Sequence, residues 1–384
     1  MANLFLSPKY IVSGENSLDL SKEYLMNFGK KALIITDNMM IKIGALEKLI
    51  VILDEINIKY EIFSEVNSEP TDVIVEAGIK RYKESNSEFL IALGGGSPID
   101  AMKAIGAMIT NEGEIVDYLQ KIIPNKPPVL VAIPTTAGTG SEATQFTIIS
   151  DTKNNVKMLL KGPSLIPTLA IVDPVFTLTS PSFITAATGV DALCHAIEAY
   201  TSRKAQPMSD TFAISAIKRI YKNLLNAYKN GADIKAREQM AIASLEAGIA
   251  FNNSSVTIVH GMSRPIGAMF HVPHGLSNAM LLKECLNFAK SGAISQFNNL
   301  AKEIEVFEIG MTEEEGATSF IEAIKELLDD LNIQTLKEFG VDKEEFFKVM
   351  DKMVSDALIS GSPQNTRRIP TKTDVLEIYK KLWK

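Results

Sequence analysis

Cysteine, histidine and tryptophan are scarce in this chain, which has 384 residues but only two Cys, four His and one Trp. Two cysteines, Cys194 and Cys285, cannot build a disulfide framework and fit a reducing compartment. No apolar run approaches the ~20 residues of a membrane span. The opening residues, M-A-N-L-F-L-S-P-K-Y, lack the basic-then-apolar pattern of a signal peptide, so a cytoplasmic location with no membrane partner is the expectation. A surplus of positive charge is also missing. The formal charge is -7 with acids and bases interspersed, which leaves no footprint for nucleic acid. Neither a fixed-period repeat nor a low-complexity segment interrupts the chain.

What is present is enough apolar material, 46% of residues, to bury a large core, and the length suggests two domains. The first half alternates strand-like and helix-like segments. Lys31–Asp37, Tyr60–Phe63, Phe89–Leu93, Val129–Ile133 and Leu169–Asp173 read as strands; 41–53 and 71–85 have helical spacing, with Thr71 and Asp72 at a helix start. This rhythm predicts an α/β N-terminal domain, residues 1–178, with a parallel sheet covered by helices on both faces. The segments 145–150 and 156–160 around the polar turn D151-T-K-N-N read as a β-hairpin. Thr177–Pro181 is the expected hinge. From there on, 185–202, 208–227, 236–251, 294–304, 311–331 and 374–382 read as helices, with Thr312 and Glu315 matching a capping box. The second domain, residues 181–384, is therefore expected to be all-α.

In a parallel sheet, ligands bind at the carboxyl ends of the strands. Asp37, Gly94 to Ser97, and Thr135 with Thr136 fall at those ends. In G94-G-G-S97-P98-I-D100, Ser97 has the chemistry of an N-cap, Pro98 suits the first helical position and Asp100 completes a capping box. Three glycines let backbone come close to a ligand, and a helix N-terminus attracts an anion. The pattern is not G-x-G-x-x-G, and the candidate ribose acid, Asp37, precedes the glycines.

All four histidines lie between residues 195 and 274. Asp191 and His195 are four apart in a helical run and so share a face. With His260 and His274 they offer three imidazole nitrogens and one carboxylate oxygen. That set suits iron(II), zinc, cobalt or nickel better than calcium or magnesium. Cys194, on a different helix face from His195, reads as a packed small hydrophobe.

The segments G189-V-D191-A-L-C-H195-A-I-E-A-Y and H260-G-M-S-R-P-I-G-A-M-F-H-V-P-H274-G resemble the metal-binding signatures of the iron-containing (group III) alcohol dehydrogenases. L93-G-G-G-S-P-I-D100 and I133-P-T-T-A-G-T-G-S-E142 resemble that family's cofactor-binding segments. The resemblance implies an NAD(P)-dependent alcohol dehydrogenase or aldehyde reductase acting on a small primary alcohol or its aldehyde. It also implies iron(II), with zinc as the alternative, in a cleft between the domains, and a homo-oligomer. It puts the dinucleotide on Gly94, Gly95, Gly96, Ser97, Asp100, Thr135 and Thr136, with Thr144 and Lys157 approaching it. Asp37 should favour NAD over NADP, because a carboxylate repels a 2′-phosphate. His271, close to a ligand in sequence but spare from the ligand set, is the candidate proton carrier or an orienting partner. Where many family members carry His, this chain has Arg264. A guanidinium there suits a substrate carboxylate, as in the ω-hydroxy acid 4-hydroxybutyrate, or else pairs with Glu198 or Glu142. Two other readings are a lyase like dehydroquinate synthase, which shares this architecture, and a non-catalytic binder whose four ligands close the metal site.

Overall fold

A computed structural model describes residues 2–154 and 156–383, which form two compact units. The first spans Leu6–Ser180. Its strands are β1 (Tyr10–Ser13), β2 (Lys31–Ile35), β3 (Lys59–Phe63), β4 (Phe89–Gly94), β5 (Leu130–Pro134), β6 (Phe146–Asp151), β7 (Val156–Lys161) and β8 (Leu169–Val172). Six of them form one sheet in the order β1-β8-β5-β4-β2-β3, and every pairing in it is parallel. Alternate residues face opposite sides, as a pleat of period two requires. Ile34, Ile91 and Ile133 pack with Leu46, Leu49 and Leu53 of the helix Ala45–Glu55. Leu33, Leu90 and Ala132 pack on the other side with Val75 of the helix Asp72–Ser85 and with Met102 and Ile105 of the helix Gly96–Thr110. Burial on both faces explains the unbroken apolar runs of the central strands. The hairpin β6–β7 stands apart as a two-stranded antiparallel sheet. Its turn is started by Asp151, whose carboxylate accepts from the backbone of Lys153 and Asn154; Asn155 lies outside the described residues.

The helix after the glycine turn begins two residues earlier than its sequence suggests. Gly95, not Ser97, is the N-cap of Gly96–Thr110, and no side chain caps it. Asp100 does not fold back on the N-terminus as a capping box would. Its Oδ1 accepts from Ser141 Oγ at 2.7 Å and its Oδ2 from the Ile148 backbone at 3.0 Å. Three residues on, the ammonium of Lys103 is fully buried and donates to Ser141 Oγ (3.0 Å), Thr144 Oγ1 (3.0 Å) and the Phe146 carbonyl (2.8 Å). All three of its donors are used, which is the condition for burying a cation. Burial pushes Lys103 down to about 8 and its neighbour Glu142 up to about 7. Asp100 and Lys103 thereby fasten the helix to the chain from Ser141 to Ile148.

The second unit contains the described residues up to Phe5 and those from Pro181 onward. The leading residues are held there by the Gln206 side chain, which donates to the Leu4 carbonyl at 3.1 Å, and by Phe5 stacked on Phe212. Its principal helices are Ser182–Thr201, Pro207–Lys229, Ile234–Asn253, Ile258–Phe270, His274–Ala289, Ile294–Glu303, Glu313–Asp330, Lys343–Ile359 and Lys372–Lys381. Thr312 and Glu315 form the expected capping box. None of the helices among the described residues is long and apolar enough to cross a membrane.

Replacing Lys103 by Met removes a cation on which three acceptors and two carboxylates depend. The expected cost is about 3 kcal/mol, at the lower end for breaking a buried ionic network. A denaturant midpoint that moved by the equivalent of less than about 1 kcal/mol would show that the network contributes little.

Candidate metal centre and cofactor-binding loops

Asp191, His195 and Glu198 project from the helix Ser182–Thr201, and all three are buried. His260 sits in the first turn of Ile258–Phe270 and His274 is the first residue of His274–Ala289. These helices can meet closely because of a glycine. A Cβ on Gly275 would come within 2.6 Å of the Ala187 carbonyl, so only glycine lets the helix after His274 lie flush against the one that carries Asp191.

One donor atom from each of Asp191, His195, His260 and His274 lies within 4.8 Å of the others. His260 Nε2 is 3.6 Å and His274 Nε2 3.7 Å from Asp191 Oδ1. Three members are buried, whereas the His274 side chain is 45% exposed, so the cluster has one side open to a small molecule. His195 is stacked between Phe251 and His260, with ring centroids 4.3 Å away on each side. Burial pushes its imidazole down to about 3, which keeps the ring neutral. Its Nδ1 is buried without a hydrogen-bond partner. For Asp191, burial opposes ionisation, but the three surrounding histidines outweigh it and hold the carboxyl below its ordinary range.

Glu198 is a site residue that sequence reasoning did not select. One of its oxygens accepts from Thr257 Oγ1 and the Val259 backbone, both at 2.7 Å, and the other is bonded to His260 Nδ1. Burial opposes charge on His260, but Glu198 and Asp191 outweigh it and raise the imidazole to about 9; the Nδ1 proton stays with Glu198, and a metal ion would displace the one on Nε2, which faces Asp191. The signal was available, because Glu198 is seven residues after Asp191 and so shares its helix face. Asn278 was also missed. It is fully buried, and its Nδ2 donates to Asp191 Oδ1 at 2.6 Å. An imidazole and carboxylate donor set, an orphaned buried imidazole nitrogen and oriented outer partners fit a borderline divalent ion such as iron(II) or zinc.

His271 and Arg264 are not part of that cluster. His271 is exposed and closes Ile258–Phe270 in left-handed conformation (φ 55°). Arg264 stays on the face of His260, since the helix runs on through Pro265 to Phe270. Its Nη1 donates to Ser362 Oγ at 3.1 Å, and no carboxylate of the helical unit lies within 4.0 Å among the described residues. Glu198, one of the two partners anticipated for it, is occupied by His260, Thr257 and Val259.

In the sheet unit, Thr36 and Asp37 follow β2, Gly95 follows β4, and Thr135 follows β5, so all lie at the carboxyl ends of adjacent strands. The strand order reverses at β2, with β3 on one side and β4 on the other, and this is where doubly wound sheets bind nucleotides. Gly94 has φ 157°, and a Cβ there would meet Pro98 Cγ at 2.5 Å. The uncapped N–H groups that begin Gly96–Thr110 suit a phosphate. Thr136 packs against Gly95, and the Thr135 backbone donates to the Gly94 carbonyl at 3.0 Å. Asp37 caps the helix Asn38–Lys42 through Oδ1, which accepts from the Met40 backbone at 2.9 Å. Thr144 is bound by Lys103, and Lys157 is ion-paired with Glu69.

Comparison with known proteins gives one result for both units. Residues 8–174 match the family described as iron-containing alcohol dehydrogenase, and residues 185–383 match the Fe-containing alcohol dehydrogenase family, C-terminal. The chain is 36% identical over 381 residues to the 1,3-propanediol dehydrogenase of Citrobacter freundii, covering 98% of this chain and 97% of that protein. It is 34% identical over 382 residues to the NAD-dependent methanol dehydrogenase of Bacillus methanolicus, covering 99% of each. The crystal structure of a 1,3-propanediol oxidoreductase superposes with a TM-score of 0.95 at 34% identity, covering 100% of both chains. With both halves matched and this identity sustained along its length, the chain belongs to the iron-containing alcohol dehydrogenase family.

Proposed function

We propose that this protein is an NAD-dependent, iron(II)-loaded dehydrogenase that interconverts a small primary alcohol and its aldehyde. The observation that carries the reading is the convergence of Asp191, His195, His260 and His274 on one point with a single open side at His274. Relatives matched along their whole length act on propanediol and methanol, and neither match favours the lyase alternative. The reaction is alcohol plus NAD⁺ to aldehyde plus NADH and a proton.

Asp191, His195, His260 and His274 would hold a divalent ion, which would supply Lewis acidity, and a bound nicotinamide would supply the hydride acceptor. The chain's own residues do the positioning. Glu198 holds the His260 proton at Nδ1, and stacking on Phe251 and His260 holds the His195 ring. The donors alone do not choose iron over zinc, and the family supports iron. The exposed His271, three residues before His274, carries the alcohol proton to water. Asp37 Oδ2 has no hydrogen-bond partner among the described residues and accepts from the adenosine ribose, which favours NAD over NADP. Arg264 gives a second reading of substrate class its support. A guanidinium whose one side-chain partner among the described residues is a hydroxyl, with no carboxylate of the helical unit beside it, suits the acid group of an ω-hydroxy acid.

Three outcomes are expected. His274→Ala loses metal and turnover together in metal analysis and NADH assays, whereas His271→Gln keeps its metal and changes the pH profile of kcat; full occupancy and turnover in His274→Ala would contradict the ligand set. Wild type prefers NAD, and Asp37→Gly narrows the kcat/KM gap to NADP several-fold by removing like-charge repulsion. A higher kcat/KM with NADP in wild type would overturn that assignment. Arg264→Met loses kcat/KM for 4-hydroxybutyrate by about 2 kcal/mol more than for 1-butanol if the guanidinium holds a carboxylate. Equal losses would return Arg264 to a structural role.

A further inference from the structure

Asn278 lies one turn after His274 on the same helix, and its side chain is fully buried. Its Nδ2 donates to Asp191 Oδ1 at 2.6 Å and lies 3.2 Å from His260 Nε2 and 3.3 Å from His274 Nε2. Its Oδ1 is buried with no partner. A buried asparagine that merely fastens two helices uses both ends of its amide, because each unmet polar atom costs on the order of 1–3 kcal/mol. Here the donor end faces three of the four proposed ligands and the acceptor end is left unmet. The reverse orientation is excluded by chemistry, since it would bring two acceptors, the amide oxygen and the Asp191 carboxylate, to 2.6 Å with no proton between them.

We propose that Asn278 is a positioning residue of the metal centre. By holding Asp191 Oδ1 it sets the affinity of the four ligands for a divalent ion and the field that ion experiences. An N–H donated to a ligand carboxylate oxygen fixes the side-chain rotamer and withdraws part of its charge, so the oxygen meets the ion from one direction. Asp191 sits in the middle of its helix, where no backbone N–H is free to do this. The amide of Asn278 takes that place. The proposal rests on the assignment of Asp191, His195, His260 and His274 as ligands.

The test uses full-length wild type, Asn278→Ala, Asn278→Asp and His274→Ala, each stripped by chelation and titrated with cobalt(II). Visible absorption reads the geometry of the bound ion, and thermal melting reads the metal-free protein. Loss of an outer partner costs 10–100-fold in metal affinity. Asn278→Ala should therefore bind cobalt 10–100-fold more weakly, with a shifted visible band. Asn278→Asp, which sets a second carboxylate beside Asp191, should melt lower without metal and bind cobalt more tightly than Asn278→Ala. If both Asn278 variants keep wild-type affinity within twofold and an unshifted band while His274→Ala fails to bind, the role of Asn278 is overturned and the ligand set stands. If His274→Ala binds as wild type does, the ligand assignment falls, and the Asn278 proposal with it.

Discussion

Two buried carboxylates on one helix, Asp191 and Glu198, constrain the helical unit more than any other feature. An ionised carboxylate taken out of water must be matched on all sides or it costs several kcal/mol. Glu198 is matched by the Thr257 hydroxyl, the Val259 amide and the His260 ring, which fixes where the helix Ile258–Phe270 begins against the helix Ser182–Thr201. Asp191 is matched by Asn278 and by the histidines around it. Gly275 then has to be glycine for His274 to come within reach. The same contacts that satisfy the charges also aim three imidazoles at one point, so packing and chemistry follow from one constraint.

The sheet unit solves a similar problem with the opposite charge. Lys103 is the buried cation, and its three acceptors belong to the segment that follows the Thr135–Gly140 loop. Asp100, one turn earlier, binds the same segment, so the two loops that would receive a pyrophosphate start from elements fastened to each other. A loop held this way meets its ligand with little ordering cost, which is how a rigid scaffold turns backbone N–H groups into affinity.

Sequence made much of this legible, and the failures have physical causes. Burial on both faces left apolar runs that mark β2, β4 and β5, while β1 was missed because its residues are half exposed and it finds its partner, β8, almost 160 residues later. The Asp191–His195 pair was readable from helical spacing, and the confinement of all histidines to one stretch pointed to a shared site, while the choice of His260 and His274 over His271 as candidate ligands drew on the family signatures. The glycine turn misled: Ser97, Pro98 and Asp100 spell a capping box, but the long-range partners of Asp100 win over the local one. Pro265 obscured the helix that carries Arg264, because a proline costs one backbone bond and local patterning cannot show that packing compensates for it. Asn278 and Lys103 carry no motif that distinguishes them from ordinary helix residues until their partners are brought together.

The claim at the centre of this account is that three imidazoles and one carboxylate hold a single divalent ion. X-ray absorption at the metal edge of the purified, anaerobically handled protein tests it most directly. One ion per chain is expected, bound by three imidazole nitrogens and at least one oxygen at roughly 2.0–2.2 Å and by no sulfur. A sulfur scatterer in the shell, which would bring in Cys194, or an all-oxygen shell without imidazole signature, would contradict it.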